Sequence, residues 1–257
     1  MVLRYVFLYT RNPVRFIDLL FWPLVDLLVW GFLTVFLQQH GAGSLPGAVT
    51  FLIGGMILWD VLFRSQQGVA ISFLEDVWTR NLINVFVAPV RTVEYVAATC
   101  MVGVLRVVVT LVILVGVAAP TYQFNLLAMG PALLGFLAGL MMFGWALGMV
   151  STALIMRWGQ AAEGLAWAIP FFIQPLAAVF YPVSVLPQWL QPVARALPVT
   201  HVFEGMRAVL AGQVFPWSAL AMSLVLNALW FAAAALFFGL NLRYVRKQGL
   251  LTKVSTF

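Results

Sequence analysis

Charged residues and cysteines are both scarce in this sequence. Only 9% of its 257 residues are Asp, Glu, Lys or Arg, and its one cysteine, Cys100, lies in an apolar run. A single cysteine excludes a disulfide framework within the chain, and with only two histidines, His40 and His201, the usual Cys/His spacing of a zinc site is absent. The histidines also lack the helical pairing with a glutamate that zinc proteases show. We therefore expect no metal site.

Two further catalytic patterns are missing from the sequence. It has neither a Gly-rich phosphate-binding loop nor a recognisable Ser/His/Asp arrangement. We therefore expect that the chain is not an enzyme and binds no cofactor itself. Its net charge of +6 is not gathered in a basic patch with interleaved aromatic residues, so we expect no nucleic-acid partner.

Hydrophobic residues are abundant instead. They make up 63% of the chain, the mean hydropathy is +1.02, and they fall in repeated blocks of membrane length. A helix needs about 20 residues to cross a hydrocarbon core of about 30 Å. The sequence therefore predicts an all-α membrane protein, surrounded by membrane lipids, with a single transmembrane domain over residues 1–257. The six predicted transmembrane helices cover residues 16–37, 49–74, 96–117, 126–155, 164–181 and 217–240.

The basic residues predict how the chain is oriented. The loops after the first and third predicted spans carry no Lys or Arg, whereas the loops after the second and fourth carry Arg80, Arg91 and Arg157. Basic residues also precede the first span and follow the last. The positive-inside rule then places these loops and both termini of the predicted multi-pass protein in the cytoplasm.

The first block, residues 1–12, is too short to span a membrane. Arg4 and Arg11 lie seven residues apart, on one face of a helix whose other residues are mostly Val, Leu, Phe and Tyr. This pattern is typical of an interfacial helix that lies on the membrane. A signal peptide is the alternative, but a small-residue cleavage site is absent and the next hydrophobic block is full length.

A segment of mixed character, residues 75–91, follows the second predicted span. It contains a short predicted helix that ends at a proline and carries an apolar stripe beside charged residues. The stripe consists of Leu82, Val85, Phe86 and Pro89. An exposed apolar stripe on a short cytoplasmic helix predicts a protein partner. A helix that rests on the lipid headgroups fits the same pattern.

Residues 182–216, before the last predicted span, are too long for a turn and too often broken for a span. The breaks are at Pro182, Pro187, Pro192 and Pro198. The segment fits a re-entrant pair of short helices, because irregular backbone is tolerated at membrane depth only inside protein or a water-filled cavity. Glu204 and Arg207, three residues apart, are expected to fix the second short helix as part of an outer gate. A surface helix anchored by Trp189 is the alternative.

Four charged residues fall within the predicted spans, namely Asp26, Asp60, Arg64 and Arg106. A lone charge at the membrane centre costs at least about 2.5–3.5 kcal/mol, so we expect these residues to pair and to face the bundle interior. Asp60 and Arg64 are four residues apart on one helix and are expected to pair locally. Arg106 is expected to meet Asp26 at a matched depth. This charge cluster is either structural, joining helices, or a polar lining of a pathway.

Several motifs before the last predicted span resemble those of a known family. They are Phe-Tyr-Pro at 180–182, Leu-Pro-Gln-Trp-Leu at 186–190, Leu-Pro-Val-Thr-His at 197–201 and Glu-Gly-Met-Arg at 204–207. Before them come an interfacial helix, two spans, a short helix ending in Ala-Pro-Val at 88–90 and three further spans. In this order the chain resembles the membrane subunits of type-2 ABC exporters over essentially its whole length.

The resemblance implies partners and site residues. Members combine two membrane subunits, here a second copy of this chain, with two copies of a cytoplasmic ABC ATPase that hold ATP and Mg²⁺. By the resemblance, residues 75–91 form the coupling helix that seats in the ATPase, and its contact surface consists of Arg80, Asn81, Leu82, Phe86 and Pro89. The first and fifth spans would line the dimer interface, which makes the candidate pathway residues Asp26, Phe172, Gln174 and Phe180.

The substrate is predicted only as a class. Members of the family export drugs, antibiotics, lipids, polysaccharides or haem, and we expect a hydrophobic or amphipathic cargo such as a drug, a lipid or a lipid-linked glycan. A stand-alone secondary transporter or channel is the alternative function. Secondary transporters often have inverted repeats with broken helices in both halves, whereas this sequence has one broken region, near its C-terminus.

Overall fold

The computed structural model describes residues 2–40, 48–88, 90–213 and 216–249. Over these residues the regular structure is entirely helical, which confirms the predicted all-α class. The α-helices are α1 Val2–Thr10, α2 Pro13–His40, α3 Ala48–Trp78, α4 Leu82–Val87, α5 Thr92–Tyr122, α6 Ala132–Trp158, α7 Glu163–Leu176, α8 Gln191–Arg195, α9 Pro198–Leu210 and α10 Trp217–Lys247. Short 3₁₀ helices cover Leu126–Met129, Gly159–Ala162 and Val183–Val185.

Helices long and apolar enough to cross a membrane confirm the multi-pass prediction. In the described ranges there are four of them, and they lie in α2, α5, α6 and α10. Helix α3 is as long as α5, with 31 residues, but its middle is polar and carries Asp60, Arg64 and Gln67. Helix α7 has 14 residues, which corresponds to a length of about 21 Å. The predicted count of six spans therefore stays a prediction for α3 and α7.

The fourth predicted span begins later than expected. Residue 126 does not start a long helix, because Leu126–Met129 form a 3₁₀ turn whose start is capped by the side chain of Asn125. Gly130 follows with a φ of 56°, a left-handed conformation that is easy for glycine and interrupts a helix. Helix α6 then starts at Ala132. The sequence did not reveal this break, because Leu and Met are compatible both with an α-helical span and with a 3₁₀ turn.

Helix α3 lies at the centre of the bundle and packs against α2, α5, α6, α7 and α9. All residues from 64 to 77 are buried, although several are polar. The helices approach closely at glycines: a Cβ at Gly68 would overlap the backbone of Gly103 on α5, and a Cβ at Gly144 on α6 would lie 2.5 Å from the carbonyl oxygen of Leu62. Small residues are a common means of bringing membrane helices together. The buried surroundings of α3 are therefore protein.

The proline-rich segment before the last helix forms short helices, as predicted. Helix α9 starts at Pro198 and packs against α3, α6 and α10. Its side chains Val199, Phe203 and Met206 are completely buried in the same core as α3 and α6. Since α9 is enclosed by other helices, it does not rest on the outside of the bundle. Whether this segment enters the membrane is not tested by these contacts, and the re-entrant arrangement stays a prediction.

Candidate functional site

Two buried carboxylates lie in the last turn of α3. Glu75 is 5% exposed and Asp76 is 1% exposed. Burying an ionised carboxylate is costly unless it is paired and hydrogen-bonded, so the partners of these residues define the local structure. Trp78 is the last residue of α3, and residues 79–81 lead directly into α4. We call Glu75, Asp76 and Trp78, with the side chains that they contact, the α3 cluster.

Asp76 joins α1 and α5 to the end of α3. It forms an ion pair with Arg4 and accepts hydrogen bonds from the hydroxyl groups of Tyr5, at 3.0 Å, and Tyr95, at 3.1 Å. Burial raises the pKa of the Tyr5 hydroxyl well above its usual range, and the charge of Asp76 raises it further. Burial alone would lower the pKa of Arg4, but Asp76 raises it above its usual value. Tyr5 therefore remains a hydrogen-bond donor and Arg4 remains charged.

Glu75 joins α2 and α5 to the same turn. Its Oε1 lies 3.0 Å from Nη1 of Arg15, at the start of α2, and 3.8 Å from Nη2 of Arg106 on α5. Arg106 and Glu75 are both buried. The structure thus pairs Arg106 with Glu75 in place of the predicted partner, Asp26.

The direction of the side chains explains this correction. Helices α3 and α5 are antiparallel, because Tyr95 contacts Asp76 while Gly103 contacts Gly68. Helical side chains point toward the N-terminus of their own helix, so long side chains on antiparallel helices lean toward opposite ends of the bundle. Arg106 therefore extends toward the end of α3. The predicted pair of Arg106 and Asp26 rested on the depth of their Cα atoms in the membrane, which does not include the length of the arginine side chain.

The other predicted intramembrane pair is confirmed. Nε of Arg64 lies 3.1 Å from Oδ1 of Asp60, and Nη1 of Arg64 donates to Gln67 at 3.2 Å. Both members of the pair are buried. Asp26 on α2 is exposed on the single chain. Of the predicted charge cluster, Asp60 and Arg64 therefore pair with each other, and Arg106 belongs to the α3 cluster.

Trp78 connects the end of α3 to α7. Its indole Nε1 donates to Oε2 of Glu163, the first residue of α7, at 3.3 Å. Nearer the centre of α3, the amide of Gln66 donates to the carbonyl oxygen of Ala166 on α7 at 2.9 Å and to the hydroxyl of Ser151 on α6 at 3.1 Å. The last turns of α3 are thus bonded to α1, α2, α5, α6 and α7.

The predicted ATPase-contact residues lie in and around α4, with two of them before its first residue. Arg80 is exposed, with a φ of 53° that ends α3, and Asn81 is half-buried. On α4, Val85 is buried against the bundle and Val87 is 79% exposed. The side chains of Leu82 and Phe86, and Pro89 as a whole, lie outside the described residues. Val85 is therefore the member of the predicted apolar stripe whose side chain is described, and it faces the core; Val87, which is not part of that stripe, faces outward.

The predicted gate residues Glu204 and Arg207 form an ion pair with an Nη2 to Oε1 distance of 2.9 Å. Nη1 of Arg207 also donates to the carbonyl oxygens of Ala178, at 2.9 Å, and Val179, at 3.3 Å, just after the end of α7. Oε1 of Glu204 accepts a hydrogen bond from the backbone N–H of Val183 at 2.9 Å. The pair thus holds the turn after α7 against α9.

The predicted pathway residues are only partly brought together. The ring of Phe180, after α7, stacks on Trp30 of α2 with a centroid separation of 4.1 Å. Phe172 is 73% exposed and Gln174 is half-buried, both on α7, while Asp26 is exposed on α2. Helices α2 and α7 each pack on α3. In the single chain Asp26 and Phe172 thus lie on outward-facing surfaces, whereas Phe180 is half-buried against the core.

The α3 cluster was not predicted as a unit. In the sequence, Glu75 and Asp76 are charges beside an apolar stripe, and Arg15 is one of the basic residues that indicate the orientation of the chain. A usable signal was present: the chain has just eight acidic residues, and two of them are adjacent at the end of an apolar block. Their partners Arg4 and Tyr5 are more than 70 residues away in the sequence. No local pattern could have identified them.

The helical bundle, with four helices long and apolar enough to cross a membrane and a short helix after α3, defines a polytopic membrane protein. Within the described ranges no group of His, Cys, Asp or Glu could hold a metal ion. The sequence model of the family described as ABC-2 type transporter matches residues 1–211, and the chain belongs to that family. The family implies an ATPase partner. The resemblance to type-2 ABC exporter permeases is thereby confirmed.

A characterised relative supports this assignment. Over 238 residues the chain is 27% identical to the capsule polysaccharide export inner-membrane protein CtrC of Neisseria meningitidis serogroup A / serotype 4A (strain DSM 15465 / Z2491). The alignment covers 89% of this chain and 86% of that protein. The similarity therefore extends over nearly the whole transmembrane domain.

Proposed function

We propose that this chain is the transmembrane subunit of an ATP-driven exporter in which two copies of the chain associate with two copies of a cytoplasmic ATPase. ATP and Mg²⁺ would bind to the ATPase. Family membership supports the partner, and the inner-membrane relative supports the location. The basic residues at both ends of the chain support cytoplasmic termini in the inner membrane.

In this proposal six helices cross the membrane, namely α2, α3, α5, α6, α7 and α10. The polar middle of α3 is compatible with a span because its charged side chains Asp60 and Arg64 are buried and paired. Helix α7 is short, and the turn held by Arg207 together with α8 and α9 would complete the crossing as a re-entrant segment. Helix α9 of this segment is enclosed by α3, α6 and α10, which supports its placement at membrane depth.

The exposure of Asp26 supports a dimer with a pathway at its interface. This carboxylate lies midway along α2 and is exposed on the single chain. In contact with lipid at mid-membrane it would cost about 2.5–3.5 kcal/mol or more, so it should face a partner subunit or water. The exposed residue Phe172 and the half-buried residue Gln174 lie on α7, which packs on α3 as α2 does. We infer that α2 and α7 face the second copy and line the pathway.

The α3 cluster is the observation that carries the mechanism. Helix α4 follows α3 after three residues, and the last turn of α3 is bonded to α1, α2, α5 and α7. A movement of α4 caused by the ATPase would therefore reach α2 and α7 through Glu75 and Trp78. Closing of the ATPase dimer would move the two α4 helices together and re-tilt the helices that line the pathway.

We further propose that the cargo contains a glycan and an amphipathic or lipid anchor. The support is the relative that exports a capsule polysaccharide, together with the predicted amphipathic cargo. A drug or a free lipid would be the alternative cargo. Export of a fluorescent lipid without glycan, at the same rate as a lipid-linked glycan, would contradict this proposal.

Binding of the ATPase can be tested at Val87, which is 79% exposed on α4. The tagged chain is co-expressed with the ATPase and purified in mild detergent, as wild type, as Val87→Asp and as Val185→Asp. Val185 is 65% exposed in the segment before α8 and serves as the matched control on the opposite side of the membrane. We expect Val87→Asp to lose the ATPase and Val185→Asp to retain it. Equal recovery of ATPase with Val87→Asp, or a wild-type chain that purifies alone, would favour a stand-alone transporter or channel.

A further inference from the structure

A narrow groove lies between α1, α2 and α5. Its volume is about 210 Å³, and the surface that lines it is apolar. Val6 and Thr10 of α1 form one wall, Phe16 of α2 another, and Val102 and Val109 of α5 the third. The groove is separate from the predicted pathway, which involves α2 and α7.

The shape and chemistry of the groove fit a hydrocarbon chain. From Val102 to Val109 it runs about 10 Å along α5, at 1.5 Å per residue. It is open toward the outside of the bundle, where its lining residue Leu105 is 40% exposed and its neighbour Val108 is 52% exposed. An apolar cavity offers no hydrogen-bond partners to water, so water would not fill it well. In a membrane, the neighbouring acyl chains are the available apolar filling.

Two arginines, one of them paired with Glu75, flank the lining residues at the α1–α2 end of this groove. Arg11 directly follows the lining residue Thr10, and Arg15 directly precedes the lining residue Phe16. The guanidinium of Arg11 lies 5.3 Å from the ring centre of Phe7, and over the part of the chain that the structure describes no carboxylate pairs with it. Basic sites between helices on the cytoplasmic side bind anionic lipid headgroups.

We propose that this groove binds one anionic phospholipid of the cytoplasmic leaflet. One acyl chain lies along Val102 and Val109, and the phosphate group is held by Arg11 and by the exposed part of Arg15. The apolar walls fit the acyl chain of any phospholipid, and the basic residues near the mouth favour an anionic headgroup over a neutral one. Because Arg106 lines the groove and also pairs with Glu75, the lipid would hold α1 against α5 next to the α3 cluster.

A tryptophan substitution can fill the groove, and the same substitution at an exposed position of α5 serves as its control. Val109→Trp places an indole in the groove, and Val112→Trp places one on the same helix at a position that is 66% exposed. The full-length proteins are purified in mild detergent, given an equimolar mixture of phosphatidylglycerol and phosphatidylcholine, and analysed by native mass spectrometry. We expect the wild type and Val112→Trp to retain one phosphatidylglycerol and Val109→Trp to lose it. If Val109→Trp does not fold, Leu105→Trp replaces it, because the partial exposure of Leu105 leaves room for the ring.

The charged part of the site has its own test. Arg11→Gln should reduce the retained phosphatidylglycerol about fivefold, the order expected for one basic side chain near an anionic surface. Arg243→Gln, which removes an exposed arginine from the end of α10, should leave it unchanged. Retention by Val109→Trp equal to wild type would overturn the proposal. Equal retention of both lipids by the wild type, which indicates ordinary annular lipid, or retention of a lipid-linked glycan in place of the phospholipid, would also overturn it.

Discussion

Replacing Asp76 with asparagine tests the α3 cluster by a nearly isosteric change. Asp76 is 1% exposed and accepts from Arg4 at one oxygen and from Tyr5 and Tyr95 at the other. In Asp76→Asn the amide oxygen can still accept from both hydroxyl groups, but the amide nitrogen then faces the guanidinium of Arg4. The substitution therefore removes one ion pair and places two donors together.

The expected cost follows from the exposure of Arg4. Removing one partner of a buried ion pair costs about 3–5 kcal/mol. The side chain of Arg4 is 32% exposed and can turn toward the lipid headgroups, so we expect a smaller destabilisation, about 2–3 kcal/mol, near the value of one hydrogen bond to a charged group. By the scaling for soluble proteins of this size, that corresponds to a decrease in Tm of about 4–12 °C.

The measurement is the Tm of the purified chain in one detergent. Samples are heated to a series of temperatures, and size-exclusion chromatography measures the protein that stays soluble at each. The double variant Arg4→Gln, Asp76→Asn should cost at least about 1 kcal/mol less than the sum of the single variants, because it leaves no unpaired charge. Asp18→Asn, at an exposed position of α2, is the control and should not change the Tm. A Tm of Asp76→Asn equal to wild type, or strictly additive losses in the double variant, would refute this explanation of the cluster.

Two further predictions concern the turn after α7 and the contact between α3 and α5. Arg207→Ala leaves the carbonyl oxygen of Ala178 without its donor and should destabilise the chain by about 1.5–3 kcal/mol and abolish export; unfolding and transport assays measure this. Gly68→Ala should cost about 1–3 kcal/mol in unfolding experiments, because the added methyl group overlaps the backbone of Gly103.

Each of these predictions has a control. Arg207→Lys keeps the positive charge, but its single nitrogen replaces a fork that binds Glu204 through Nη2 and the carbonyl oxygens of Ala178 and Val179 through Nη1, so its stability should be intermediate. Full export by Arg207→Ala at equal abundance would exclude the gate role. The control for Gly68→Ala is Gly116→Ala on α5. A Cβ at Gly116 has no neighbour within 4 Å, so this substitution should be neutral or slightly stabilising. If Gly68→Ala behaves in the same way as Gly116→Ala, the close approach of α3 and α5 is wrong.

Sequence patterns were sufficient for the class of fold and for local pairs. Apolar block length predicted the multi-pass helical architecture, because the thickness of the membrane sets the length of a span. The pair Asp60 and Arg64 was predictable because residues four apart on a helix are neighbours whatever the tertiary fold. The pair Glu204 and Arg207 was predictable for the same reason.

Contacts between distant segments were not predictable in this way. Glu75 and Arg106 meet because α3 and α5 are antiparallel and close at Gly68 and Gly103, and neither property is encoded near the two charged residues. The late start of α6 depends on the φ of Gly130, which hydropathy does not describe. The exposure of Asp26 likewise follows from the packing of the whole bundle.

The most direct test of the central claim is ATP-driven transport by proteoliposomes that contain this chain and its ATPase, with transport and ATP hydrolysis measured in the same sample below the unfolding temperature. We expect the wild type and Asp18→Asn to transport cargo in proportion to the ATP hydrolysed. Glu75→Gln should retain the bound ATPase and hydrolyse ATP but transport little, because the ion pair that would carry a movement of α4 from the end of α3 to Arg15 on α2 is lost. Transport by Glu75→Gln at the wild-type ratio, or transport by the wild type that does not require ATP, would contradict the account.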